Sequence, residues 1–182
     1  MRIRRRVDAD IAACVELLLR VHRSDGYPLH LPTEDVEGFF ASDSEAAAWV
    51  AEREGHLVGH VALRSTPGDP TLVAAARATG LRPHRLVMVS RLFVAPDLRR
   101  AGLGRTLLRQ ATGHARSLGQ RAVLDVGQTL RAPVALYESE GWSRVDALHL
   151  TLDQDTVLDL WVYVSPEMPD ASAGHPILAS PS

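Results

Sequence analysis

Apolar residues recur along the chain with two periods, and the switches between them mark its elements. Residues 2–7 read as a short strand, with Ile3 and Val7 among four arginines. Ile11, Val15, Leu18, Leu19 and His22 then recur at helical spacing behind an N-cap at Asp8 or Asp10. Gly26, Pro28 and Pro32 make residues 23–32 a loop. Thr33 can cap a second short helix with Val36, Phe39 and Phe40 on one face. Strands follow at 47–53 and 56–64, joined at Glu54-Gly55 in a hairpin. The nearly continuous apolar run Leu86–Val94 reads as a strand buried on both faces, with Ser90 and Arg91 inside it. A helix from Gly102 to about Leu118 carries the stripe Leu103, Leu107, Leu108 and Ala111. Ala122–Val126 is a second buried strand, and Pro133 opens a helix that Gly141 stops. Strands near Ser143–Leu152 and Val157–Val164 flank a polar turn at Asp153–Asp155.

Between Ser65 and Arg85 the chain holds three breakers, Pro67, Gly68 and Pro70, and then a small alanine-rich helix over Thr71–Thr79. This segment reads equally as a lid over a site or as a long connection. The β-α-β-α succession in the second half implies parallel pairing by right-handed crossover, and the hairpins imply antiparallel pairing. The expected fold is α/β (α+β): a mixed, twisted sheet of six to seven strands with helices on both faces. Residues 1–164 form one domain in this reading, and the Pro-, Ser- and Ala-rich residues 165–182 form a loose tail.

Composition narrows the function. A chain of 182 residues with 46% hydrophobic content supports one real core. The net charge of −2 gives no global pull toward nucleic acid or an anionic membrane. The expectation is no nucleic-acid partner and no membrane partner. Every basic side chain apart from histidine is arginine. The single Cys14 sits among apolar residues and reads as core, which fits a cytoplasmic location. The start MRIRRRV lacks the apolar run of a signal peptide. No metal-ligand set is read.

The segment Leu92-Phe93-Val94-Ala95-Pro96-Asp97-Leu98-Arg99-Arg100-Ala101-Gly102-Leu103-Gly104 carries the chemistry. A buried strand ends at a proline, a basic glycine-containing turn follows, and a helix begins. Unpaired amides, a positive helix end and missing Cβ atoms suit a pyrophosphate. Arg99, Arg100 and Arg105 add attraction for an anion. A P-loop is excluded because there is no lysine, and the dinucleotide fingerprint fails at Leu107.

This pattern resembles the GNAT acetyltransferase superfamily, which carries a Leu-x-Val-x-Pro strand and an Arg/Gln-x-x-Gly-x-Gly/Ala loop. Here these are Leu92, Val94 and Pro96, then Arg99, Gly102 and Gly104. Ala135-Leu136-Tyr137-Glu138-Ser139-Glu140-Gly141-Trp142 resembles a second family motif. Its alanine falls at Pro133, and its upstream asparagine falls near Leu130.

The resemblance implies acetyl-CoA as cosubstrate. Loop amides from Arg100, Ala101, Gly102, Leu103, Gly104 and Arg105 would hold its pyrophosphate, and the backbone of Leu92, Phe93 and Val94 would hold its pantetheine arm. It implies Tyr137 as general acid and a backbone amide at Phe93 or Val94 for the thioester carbonyl. The family's usual glutamate base on this strand has no counterpart, which leaves a water relay through Ser90, or His84 or Asp125. Asp25, Tyr27, His30 and Trp161 are the acceptor-site candidates. The reaction implied is direct attack of a small-molecule or peptide amine in a ternary complex. A non-catalytic acyl-CoA sensor and a domain that binds no CoA are the alternatives, and a homodimer through the late strands stays open.

Overall fold

The computed structural model describes residues 1–31, 35–40, 44–152 and 156–167. Thr33, the turn at Asp153–Asp155 and the tail beyond Glu167 lie outside the described residues. The elements run β1 (Arg2–Arg5), α1 (Ile11–Asp25), β2 (Glu45–Arg53), β3 (His56–Arg64), α2 (Pro70–Thr79), β4 (Leu86–Val94), α3 (Leu103–Ser117), β5 (Arg121–Gly127), α4 (Arg131–Ser139), β6 (Ser143–Thr151) and β7 (Val157–Val164). They form a seven-stranded mixed sheet in the order β1-β2-β3-β4-β5-β7-β6.

The hairpin at Glu54-Gly55 forms as read, with both residues at positive φ (53° and 80°); this twist joins antiparallel strands tightly. Asp10 does not cap α1 with its side chain. Its carboxylate accepts the Val7 N–H at 2.9 Å and both Arg4 NH groups at 2.7 and 2.8 Å. Val36–Phe40 run in turns, not in a helix.

β4 and β5 are the one parallel pair among the described strands. β5 and β6 share a direction but are not neighbours, because β7 lies antiparallel between them. The two faces of the sheet carry different helices. Leu107, Leu108 and Ala111 of α3 are fully buried or nearly so and share one core with Val87, Val89, Ala122 and Leu124. The alternate residues Leu86, Met88 and Val123, with Val162 and Val164, pack against Leu72, Ala74 and Ala75 of α2. Side chains alternate across a strand, so α2 covers the face opposite α3. The 65–85 segment is therefore a sheet-covering layer. Each large aliphatic side chain so buried contributes about 1.5–3 kcal/mol.

The parallel ladder is short. β4 pairs with β5 only at Leu86–Arg121, Val87–Ala122 and Met88–Val123. Beyond Met88 the two strands diverge, and the β5-facing backbone of β4 has no strand partner among the described residues. The candidate functional groups collect around this split.

Candidate active site

The cradle forms where β4 ends. Pro96–Leu98 make one turn of 3-10 helix, then Arg100 and Gly102 both take left-handed backbone (φ 62° and 80°). Gly102 is the N-cap of α3, and no side chain caps it. The first intrahelical bond after it is Thr106 N–H to the Gly102 carbonyl at 3.0 Å. The amides of Leu103, Gly104 and Arg105 precede that bond, so they have no intrahelical acceptor. An added Cβ at Gly102 would meet nothing within 4 Å, so its positive φ, not crowding, demands glycine. Free amides, a positive helix end and an open approach fit a pyrophosphate.

A cleft of about 740 Å³ runs from this cradle into the split. Leu92, Phe93, Val94, Arg99, Arg100, Gly102, Leu103, Gly104 and Arg105, the residues expected at the cofactor, line it together with Tyr137. Ala101 is exposed and is not part of the lining. Thr129, Leu130, Arg131 and Pro133 add a wall from the start of α4. Two of the three loop arginines are already engaged. Arg99 pairs with Asp25 at 2.8 Å, and Arg105 pairs with Glu140 at 2.8 Å and donates to Ser139 Oγ at 3.0 Å.

The wall of the cleft is a bulge. The β3–β4 register steps from His60–Phe93 to Ala62–Ser90, so Val61 alone faces both Arg91 and Leu92. Such a bulge leaves the extra residue off the ladder. Arg91 holds it at φ 52°. The bulge also changes the alternation, so Ser90 and Phe93 share the face opposite α3.

The candidate catalytic groups meet around the split. Tyr137 is buried beside Trp142 and Tyr163. Burial, then the charge of Asp125, pushes its phenol above the ordinary value. Tyr27 lines the cleft, 6.2 Å from Phe93 between ring centroids. Burial raises its phenol too, and Tyr137 and Asp125 add to the shift. Asp125 accepts a hydrogen bond from Thr71 Oγ of α2 at 2.7 Å, and burial raises its carboxyl. Carried two residues past Met88–Val123, the β4–β5 register sets Ser90 level with Asp125. Ser90 Oγ is buried with no partner among the described residues, and neither Ser90 nor Asp125 is part of the cleft lining.

Other candidates lie elsewhere. His84 is exposed in the turn before Leu86, so it sits at the closed end of the split. The nine residues of β4, roughly 30 Å of strand, separate it from the cradle. His30 is exposed and outside the cleft lining. Trp161 is also outside it, with the Arg144 guanidinium 4.3 Å above its ring. Asp25 and Tyr27 are the acceptor candidates that reach the cleft.

A buried charged cluster, missed by pattern reading, backs the bulge. Arg91 pairs with Glu45 at 3.1 Å and lies 4.6 Å over the Phe39 ring. Glu45 also pairs with Arg6 at 2.8 Å, and Arg6 donates to the Phe40 carbonyl at 3.0 Å. His60 is fully buried, with Nδ1 2.9 Å from the Arg91 carbonyl and its ring stacked 5.2 Å from Phe93. A carbonyl only accepts, so Nδ1 carries the proton. Nε2 then accepts from Arg6 at 3.4 Å. Burial holds the imidazole neutral, with its pKa pulled to about 3. Burial also pulls Arg91 down to about 10. The signal for this cluster was an arginine inside an apolar strand, which demands a partner. The sequence does not say which partner.

A model of the Acetyltransferase (GNAT) family matches residues 12–142, and the chain belongs to that family. Among curated relatives, human N-acetyltransferase 8 is 32% identical over 127 residues, covering 63% of this chain and 51% of its own length. The chain spans about half the length of the curated relatives it matches. A ribosomal-protein-alanine N-acetyltransferase from Brucella melitensis shares the fold with a TM-score of 0.67 at 24% identity, over 91% of this chain and 99% of that one. A Salmonella typhimurium chain solved with its cofactor acetyl-CoA matches with a TM-score of 0.67 at 20% identity, over 94% of this chain and 98% of that one.

Proposed function

We propose that this protein transfers the acetyl group of acetyl-CoA to a primary amine by direct attack in a ternary complex. The observation that carries this reading is one continuous cleft that joins the amide cradle of α3 to the unpaired edge of β4 and to Tyr137. Direct transfer is favoured over an acyl-enzyme. The described lining of the cleft contains no cysteine or serine, and Cys14 is buried with its thiol pushed up to about 12.

The cradle amides bind the pyrophosphate, and the β4 edge accepts the pantetheine arm as an added strand would pair. Polarisation of the thioester carbonyl falls to a backbone amide of the β4 bulge at Arg91–Leu92, just before the Phe93 or Val94 amide that the family resemblance implied. The acceptor amine enters past Tyr27 and loses its proton to Asp125 through water held by Ser90, since both residues lie behind the cleft lining. Asp125 is the half-buried carboxylate whose charge reaches both Tyr27 and Tyr137. Tyr137 donates a proton to the departing thiolate; its raised pKa keeps it protonated until that charge develops.

Calorimetric titration with acetyl-CoA, followed by thiol release with a panel of amines, tests this. Saturable binding with amine-dependent thiol release is expected. Tyr137→Phe should lower turnover about 10²-fold while leaving acetyl-CoA affinity within about threefold. Binding without turnover on any amine would favour a sensor, and no binding at millimolar acetyl-CoA would rule out both.

A further inference from the structure

We infer that His60 is a positioning residue for acetyl transfer: its bond to the Arg91 carbonyl, with the Arg91–Glu45 ion pair, holds the β4 bulge and so keeps an amide of the Arg91–Leu92 stretch beside the cleft. This rests on the acetyl-transfer reading above.

Left-handed backbone at a non-glycine residue is strained, because its Cβ crowds the following carbonyl. Such a residue persists only where its surroundings over-determine it. Arg91 is held from three directions. Its carbonyl accepts from His60 Nδ1 at 2.9 Å, its guanidinium pairs with Glu45 at 3.1 Å, and the same guanidinium lies over Phe39. The anchors come from β3, from the start of β2 and from the turn at residues 36–40. None of these anchors is in the cleft lining. They therefore act on bound substrate only through β4, by its bulge backbone and by the Phe93 side chain that His60 stacks on.

His60 also fixes the next residue of the cleft wall. Its ring lies nearly parallel to Phe93, 18° between planes, and meets Phe40 edge-on at 5.2 Å. A fully buried aliphatic side chain would fill the same space without a polar cost. The imidazole adds one directed donor to a bulge carbonyl, which an aliphatic residue lacks.

Two pairs of variants separate this role from packing. His60→Phe keeps the ring and loses the donor. His60→Asn keeps a donor near the Nδ1 position and loses the ring. Arg91→Ala loses the anchor at a strained backbone, whereas Arg91→Gly loses the same anchor where positive φ costs little. The readouts are CoA affinity, the infrared carbonyl stretch of bound [1-13C]acetyl-CoA, and slow hydrolysis of acetyl-CoA followed by thiol release.

In the wild type the bound carbonyl stretch should fall below its value in water. His60→Phe should lose that shift and at least about tenfold in hydrolytic turnover, a fraction of what removing an oxyanion donor costs. Its affinity for CoA, which has no acetyl carbonyl, should stay within about threefold. His60→Asn should keep most of the shift, and Arg91→Gly should recover most of what Arg91→Ala loses. A folded His60→Phe that retains the shift overturns the inference, as does retention in Phe with loss in Asn, which would mean packing alone. If neither His60 variant folds, equal loss in Arg91→Ala and Arg91→Gly overturns it. A wild type that does not bind CoA removes the acetyl-transfer reading and this inference with it. A wild type that binds CoA and shows no carbonyl shift removes this inference alone.

Discussion

The two sides of the β4–β5 split are built from different materials. On the α3 side the groups that would meet the cofactor are backbone amides, displayed by a glycine at φ 80° and the bare first turn of one helix. They come from about six consecutive residues. On the opposite side the groups are buried or half-buried side chains: Arg6, Glu45, His60, Ser90, Arg91, Asp125 and Thr71, drawn from six segments. Backbone recognition needs local geometry and little else, whereas a buried charged layer needs every partner in place. Substitutions on the first side should therefore alter binding, and those on the second should alter turnover and stability.

The largest effect should come from Asp125. Asp125→Asn removes the proposed base and should lower amine-dependent turnover by about 10²–10⁴-fold, with acetyl-CoA affinity nearly unchanged by calorimetry. Burial raises the Asp125 carboxyl, so it must ionise before it can act. Turnover in the wild type should rise with pH along an acid limb displaced above the ordinary carboxylate range. An unchanged rate and limb in the Asn variant would place the base elsewhere. On the other side, Gly102→Asp should affect binding most. It adds left-handed strain of about 1–2 kcal/mol and a like charge against a pyrophosphate, so acetyl-CoA affinity should fall by at least about 100-fold, since each 1.4 kcal/mol is tenfold. Retention of affinity would mean that the cradle is not the cofactor site.

His60 ties the charged side to pH. Its folded pKa, about 3, lies below the ordinary 6.5. The unfolded chain therefore binds the extra proton first as pH falls. The stabilisation is complete above pH 6.5 and is lost as pH drops toward 3, by up to about 1.4 kcal/mol per pH unit. Denaturant unfolding at pH 7 and pH 5 should show this loss in the wild type. It should be smaller in His60→Asn, which does not titrate there.

The same contrast explains what could be read from the sequence. The cradle was legible because its signal is contiguous: Pro96, Arg99, Gly102 and Gly104 fall at fixed spacing before a helical stripe. Tyr137 was legible for the same reason. The insertion of β7 between β5 and β6 was not, because hydrophobic period marks a strand but not its neighbour. Nor was the His60–Arg91 contact, whose partners lie 31 positions apart. His84 lies two residues before a well-read strand, yet at its wrong end. Trp161 is a large aromatic in a late strand, but it stacks under Arg144 away from the cleft.

The smallest expected effect tests whether side-chain charge matters at all on the backbone-built side. Arg99 is already paired with Asp25 at 2.8 Å, and both groups are more than a third exposed. Exposed pairs of this kind are worth about 0–1 kcal/mol, so Arg99→Ala should weaken acetyl-CoA by no more than about fivefold. Asp25→Asn should work in the other direction, because it frees Arg99 for the phosphates and removes a negative charge from the mouth. A two- to fivefold gain in affinity that fades above about 0.5 M salt is the expected calorimetric result, given a Debye length well under 8 Å there. A loss of tenfold or more in Asp25→Asn would instead make the pair a structural strap between α1 and the cradle loop. The comparison would then need revision, with side chains shaping both sides of the split.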